Sequence, residues 1–172
     1  MRLYPFSLLI TAVVIAPNLL FLVFPPSEAN KYGESADAWP FTILERVGQV
    51  SSFILPLFFP PSFSGTLVRA AWTVMGVSLA FYYAGWTRFF AGSRDYAFLY
   101  KPMFGIPVPM ALSPVLYFLA SSIVLGSIWQ AAAATILGAG HVTVTVREYR
   151  RVEAKKAVMA RQKDDQVAAR QP

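Results

Sequence analysis

The sequence predicts an all-α fold: an integral membrane bundle of five transmembrane helices, followed by a basic helix at a cytoplasmic C-terminus. Of the 172 residues, 56% are hydrophobic and 14% are charged, whereas roughly a quarter of the residues in soluble domains are charged. The apolar residues lie in runs long enough to cross a bilayer. The charge is uneven, because residues 1–146 carry 7 Lys/Arg and 5 Asp/Glu while residues 147–172 carry 8 and 4. We therefore expect a transmembrane helical domain over 1–146 and a basic helical or frayed tail over 147–172.

The first predicted span covers residues 6–24. The alternative is a cleaved signal peptide, with Ala16 as a candidate cleavage position. Pro17 would follow that cut, and the apolar run continues to Phe24, which is longer than the apolar region of a signal peptide. We expect a retained span.

The second and third spans are predicted over residues 41–59 and 67–86. They are separated by the turn-forming stretch "PPSFSG". The segment after the third span, "TRFFAGSRDYAFLYKPMFGIPVP", is aromatic, basic and interrupted by prolines. This composition is typical of a loop at the level of the lipid headgroups.

The fourth and fifth spans come from one long uncharged run. No charged residue occurs from Pro102 to Val146. From Met110 onward this run would be about 55 Å long as one helix, against a hydrocarbon core of about 30 Å. We predict a hairpin of two short spans over 110–125 and 128–146, with Gly126 and Ser127 in the turn.

The positions of the basic residues favour five spans over the alternative of four. With five spans, Lys31, Arg88, Arg94 and Lys101 lie on the same side as the eight basic residues of the tail. With four spans these four residues would lie outside, against the positive-inside rule. We expect the N-terminus outside and the C-terminus in the cytoplasm.

The basic tail is expected to contact the lipid bilayer, in particular anionic lipid headgroups. A nucleic-acid partner is not expected, because such sites use stacking aromatic side chains and Tyr149 is the only aromatic residue of the tail.

Polar and small residues recur at helical spacing within the spans, so that each span can turn one such face inward. Ser, Thr and Gly at these positions are typical of packed membrane helices. Ionisable groups are different, because Asp, Lys or Arg at the centre of a span costs about 2.5–3.5 kcal/mol. The clearest faces, on the second and fifth spans, consist of Glu45, Gln49, Ser52 and Pro56, and of Gln130, Ala134, Gly138, His141 and Thr145.

The five-span topology brings polar groups of all five helices to the cytoplasmic leaflet. Glu45 and His141 are the candidate catalytic residues, as an acid and a base or as a proton relay. Two interpretations stay open: these groups bind a small molecule, a lipid or a proton, or Glu45 pairs with Arg46, Arg88 or His141 only to tie helices together. The candidate ligand-binding residues are Asn18, Glu45, Gln49, Tyr82, Tyr83, Arg88, Tyr117 and His141.

Several chemistries are not expected. One histidine and no cysteine exclude the usual zinc constellations, so no metal and no cofactor are predicted. The sequence holds no GxSxG, P-loop, GxGxxG or HExxH motif, which disfavours soluble-type hydrolase and nucleotide chemistry.

Five motifs resemble a group of small, uncharacterised bacterial multi-pass membrane proteins. The resemblance covers about residues 5–150 and implies a complete small protein of the bacterial inner membrane. It carries no activity. The motifs are "APNLLFLVFPP" (16–26), "LERVGQ" (44–49), "YYAGWTRFFAG" (82–92), "GIPVPMALSPVLYFLASS" (105–122) and "GHVTVTVREY" (140–149).

The first functional prediction is a non-enzymatic binding, transport or accessory protein with a polar pocket at the cytoplasmic leaflet. One alternative is a small intramembrane enzyme that acts on a lipid or isoprenoid, with Glu45 and His141 as acid and base. The other is a structural subunit of a homo-oligomer or membrane complex, suggested by the small residues at Gly48/Ser52 and Gly76/Ala80.

Overall fold

The computed structural model describes residues 2–26, 39–92, 94, 96–103, 105–106 and 108–168. The first loop, with Lys31, and the last four residues lie outside the described residues. Within the described part the chain is all-helical and contains no β-strand, which confirms the predicted all-α class. The five α-helices are α1 (Leu8–Val23), α2 (Trp39–Ile54), α3 (Thr66–Ala91), α4 (Pro109–Val124) and α5 (Ile128–Ala168).

The helix bounds differ from the predicted spans at three places. The α-helical part of α2 ends at Ile54 and continues as a 3-10 turn, Leu55–Phe58, because Pro56 has no N–H to donate to the helix. Helix α3 extends to Ala91, past the predicted end at residue 86. Helix α5 passes the expected boundary at residue 146 and runs as one helix of 41 residues.

Two helical segments among the described residues are long and apolar enough to cross a membrane. They are Pro5–Val23, which joins a 3-10 turn to α1, and Thr66–Ala91. Helix α4 is apolar but has only 16 residues, which is about 24 Å at 1.5 Å per residue. By length and composition alone, two segments of the described chain could therefore cross a membrane.

Helix α5 packs along α2 and α4, and α3 packs along α4, while α1 makes a looser contact with α2 and α3. The side chains of Phe89 and Met75 of α3 and of Phe118 of α4 are fully buried in the common core. The turn at residues 125–127 contains Gly126, with φ of 56°, a conformation that glycine adopts without strain. This sharp turn sends α5 back along α4, so that the two helices form a hairpin.

Two glycines bring α2 and α5 into backbone contact. A Cβ atom on Gly48 would collide with the backbone of Leu137, and one on Gly140 would collide with the backbone of Glu45. Neither position can hold a side chain at this spacing. Gly76, in contrast, faces open space, with nothing within 4 Å of a Cβ placed there. The Gly76/Ala80 face therefore takes no part in packing within the described chain.

Candidate functional site

Glu45 and His141 lie side by side where α2 and α5 cross. Nδ1 of His141 is 2.7 Å from Oε1 of Glu45, and the two side chains are 29% and 19% exposed, respectively. Against an ionised carboxylate, which can only accept, Nδ1 would donate and Nε2 would remain for a ligand. Of the three partners considered for Glu45, the structure therefore places His141 against it.

This pair lies in the wall of a cavity of about 660 Å³. The cavity is formed by the C-terminal halves of α1 and α3, the N-terminal ends of α2 and α4, the middle of α5 and part of the loop after α3. Its polar and acidic lining residues are Asn18, Glu45, Tyr82, His141, Thr145 and Glu148.

Asn18 and Tyr82 form the second polar group of the wall. The amide nitrogen of Asn18 donates to the Val14 carbonyl and to the Tyr82 hydroxyl, both at 2.8 Å. These bonds use both hydrogens of the amide nitrogen, so the side-chain oxygen is what Asn18 can still offer to a ligand.

The rest of the wall is apolar and aromatic. Phe21 and Trp86 meet edge to face, with ring centroids 5.7 Å apart. Met110 packs directly against Gly85, so closely that a Cβ atom on Gly85 would lie 2.6 Å from Met110 Cγ. The indole N–H of Trp86 approaches the Tyr82 hydroxyl, but it makes no hydrogen bond of standard geometry within the described part of the chain. The cavity wall thus combines polar side chains with apolar and aromatic ones.

Arg88 does not line the cavity, although it was a candidate ligand-binding residue. Its guanidinium donates to the carbonyl oxygens of Phe98, Lys101 and Pro102 at 3.0, 2.7 and 3.1 Å. These bonds hold the loop that contributes Leu99 and Tyr100 to the cavity wall. Arg88 is therefore a positioning residue for the cavity.

Three other candidate residues also lie outside the main cavity. Gln49 borders a separate space of about 50 Å³ beside Asn18, Tyr82 and His141. The Tyr83 hydroxyl donates to the Val13 carbonyl of α1 at 2.8 Å. Tyr117 borders an apolar groove of about 330 Å³ between α1 and α3.

Glu148 is a cavity residue that the sequence interpretation assigned to the solvated tail. Its side chain is 13% exposed and lies 3.1 Å from Nη1 of Arg151. The helical spacing of His141, Thr145 and Glu148 indicates that Glu148 shares their face of α5, because steps of four and three residues stay on one face of a helix. The predicted domain boundary at residue 146 assigned Glu148 to a different segment from His141 and Thr145.

The site therefore combines two partly buried carboxylates, one imidazole, an amide and several aromatic rings around one space. Comparisons with protein families, characterised proteins and solved structures found no match to this chain, and the resemblance to small bacterial membrane proteins stays a prediction.

Proposed function

We propose that this protein is a multi-pass membrane protein that binds a small amphipathic molecule in the cavity beside Glu45 and His141. The observation that carries the proposal is the cavity itself, whose wall combines polar and apolar side chains. Its volume of about 660 Å³ lies within the range of about 300–1,000 Å³ that is usual for small-molecule sites.

Five membrane crossings are part of this proposal, and the distribution of side chains supports them. Large apolar side chains face outward on three helices, whereas a soluble protein rarely exposes an apolar surface of this extent. The outward residues include Leu9, Leu19, Leu20 and Leu22 on α1, Ile43, Val47, Val50 and Ile54 on α2, and Leu67, Val74 and Val77 on α3. Polar side chains point inward instead, among them Ser7, Thr11, Ser52, Ser78, Ser113, Ser121 and Gln130.

Residues 39–58, which form α2 and its 3-10 turn, would span about 30 Å if helical throughout. The apolar part of α5, residues 128–146, would span about 28 Å. The α4–α5 hairpin returns the tail to the end where α3 finishes, and Tyr100 after α3 packs against Val152 of the tail. This geometry supports a common side for Arg88, Arg94, Lys101 and the tail.

We further propose that this common side is the cytoplasmic side of the bacterial inner membrane, with the N-terminus outside. The basic residues of α5 beyond residue 146 would then meet anionic headgroups. A homo-oligomer or a membrane partner would use the outward apolar faces, such as that of Gly76.

Binding can be tested by filling the cavity. Val144 lines it, whereas Val77 is 52% exposed on the outer face of α3. We expect a small molecule to copurify with the wild type and with the matched control Val77→Phe. Val144→Phe should retain about tenfold less of it, which corresponds to a loss of about 1.4 kcal/mol. The measurement is mass spectrometry of an organic extract of protein purified in mild detergent, and equal retention by both variants would contradict the proposal.

An enzymatic function is the second candidate, because the 2.7 Å carboxylate–imidazole contact resembles the arrangement in which a carboxylate orients a general base. In this case Nε2 of His141 would exchange a proton with a lipid or isoprenoid in the cavity. Turnover of such a substrate by both Glu45→Gln and His141→Gln would rule this function out.

A further inference from the structure

We infer that the ligand of this cavity is an amphipathic organic cation, such as an amine or a quaternary ammonium group on an apolar body. The inference rests on the proposed function and names the chemical class of ligand for that site. It follows from the charge of the lining residues, from the aromatic rings among them, and from where the neighbouring cations are held.

The charged groups of the lining favour a cation. Glu45 and Glu148 both line the cavity, and no lysine or arginine stands among the described residues that do so. Glu148 is paired with Arg151, while Glu45 is paired with an imidazole that is neutral unless it is protonated on both nitrogens. The carboxylates of the cavity wall therefore favour a positively charged group.

Apart from Arg151, which pairs with Glu148, three nearby cations are engaged by groups other than the cavity carboxylates. The Arg147 guanidinium lies 4.7 Å from the ring centroid of Phe41, and the Lys101 ammonium lies 4.6 Å from that of Phe98. Arg88 is held by three backbone carbonyls. The described structure thus leaves Glu45 without a lysine or arginine partner.

Four aromatic residues complete the argument, because the faces of aromatic rings attract cations and Trp and Tyr do so most strongly. Phe21, Tyr82, Trp86 and Tyr100 all line the cavity. Carboxylates together with several aromatic rings are the combination by which proteins recognise ammonium groups.

Two features favour the opposite charge, and both are weaker. The first turn of α4 borders the cavity through Met110 and Ala111, and helix N-termini attract anions. However, Pro109 has no N–H, and the Ala111 and Leu112 amides already donate to the Val108 carbonyl. The Trp86 indole N–H is a neutral donor and can serve an oxygen atom of the ligand. A zwitterionic lipid headgroup fits less well than a free cation, because its phosphate would lie near the two carboxylates.

The test uses three probes of similar hydrophobicity and different charge on the protein in dodecyl maltoside: tetraphenylphosphonium, tetraphenylborate and the neutral N-phenyl-1-naphthylamine. Equilibrium dialysis should give saturable binding of tetraphenylphosphonium that Val144→Phe weakens about tenfold. Glu45→Gln and Glu148→Gln should each weaken this binding about tenfold. The matched control Glu153→Gln removes a carboxylate that is 48% exposed on the tail and should leave binding unchanged, as should an excess of short-chain phosphatidylcholine.

The outcomes separate the two proposals. If tetraphenylborate or the neutral probe binds in a Val144→Phe-sensitive manner and tetraphenylphosphonium does not, the cation assignment is overturned while the binding function stands. If no probe shows binding that depends on residue 144, both are overturned. Competition by phosphatidylcholine would replace the free cation with a lipid headgroup, and size-exclusion profiles identical to the wild type exclude misfolding as the cause of any loss.

Discussion

The Glu45–His141 contact depends on the absence of a side chain at the adjoining residue. Gly140 precedes His141, and its Cα lies so close to α2 that a Cβ would collide with the backbone of Glu45. Backbone atoms at a helix crossing cannot swing aside as the end of a long side chain can. The position of this titratable pair in the cavity wall therefore depends on glycine at residue 140.

Gly140→Ala should destabilise the protein by about 1–3 kcal/mol, the usual cost of inserting atoms into a packed contact. Gly76→Ala is the matched control, since it faces open space on α3 and should be neutral or stabilising by about 0.5–1 kcal/mol through helix propensity. Thermal unfolding in detergent measures both. Equal effects of the two substitutions would show that the backbones of α2 and α5 lie farther apart at Gly140 than in this structure.

Helix α1 illustrates how a helix with few close neighbours is held in place. Pro17 lies inside it and has no N–H, so the Val13 carbonyl lacks its partner one turn later. The Tyr83 hydroxyl of α3 donates to this carbonyl at 2.8 Å. A helix interruption in α1 thus becomes an attachment point for α3, close to the Asn18–Tyr82 bond.

This attachment predicts a dependence between two substitutions. Tyr83→Phe should cost about 1 kcal/mol of unfolding free energy in the wild type, the typical net value of one hydrogen bond. In a Pro17→Ala background the cost should fall close to zero, because the new N–H of residue 17 can satisfy Val13. Thermal unfolding of the four proteins gives the coupling, and the same cost in both backgrounds would refute it.

The loop after α3 is held by Arg88, and this makes a prediction at the scale of the element. Arg88→Lys keeps the charge but replaces the planar fork of donors by a single ammonium. We expect amide hydrogen exchange at residues 99–101 to speed up by about tenfold and binding to the cavity to weaken. Arg69→Lys is the control, because the Arg69 guanidinium contacts the exposed Thr66 hydroxyl, at 3.5 Å, near the opposite end of α3. Unchanged exchange in Arg88→Lys would mean that the loop is held by other contacts.

At the scale of the whole molecule, the helices were predictable from the sequence but the directions of several side chains were not. Long apolar runs and proline-rich breaks were enough to locate five helices, and the spacing of Glu45 and His141 placed both on inward faces. Tyr82 and Tyr83 are adjacent, so they point about 100° apart on a helix, and only one of them can face the cavity.

Arg88 and Glu148 were harder to interpret for different reasons. The partners of Arg88 are backbone carbonyls. Every residue has a backbone carbonyl, so the sequence of side chains does not indicate which ones Arg88 contacts. Glu148 sits among basic residues that are typical of a solvated tail, while its helical face continues that of His141. Charge composition alone therefore concealed a cavity residue.

We propose that polar groups of four of the five helices meet, beside the apolar first turn of α4, in a cavity that opens toward the cytoplasm. The chain has no cysteine, so a single Val144→Cys substitution can report on the cavity, with Val77→Cys on the outer face as its control. The most direct measurement is labelling of the introduced thiol by the membrane-impermeant cation 2-(trimethylammonium)ethyl methanethiosulfonate, in inverted membrane vesicles and in right-side-out ones. We expect the Val144→Cys variant to be labelled rapidly in inverted vesicles only, and tetraphenylphosphonium to slow that labelling, while the Val77→Cys variant is labelled in neither. Labelling of the Val144→Cys variant only from the outside, or from neither side, would contradict the account.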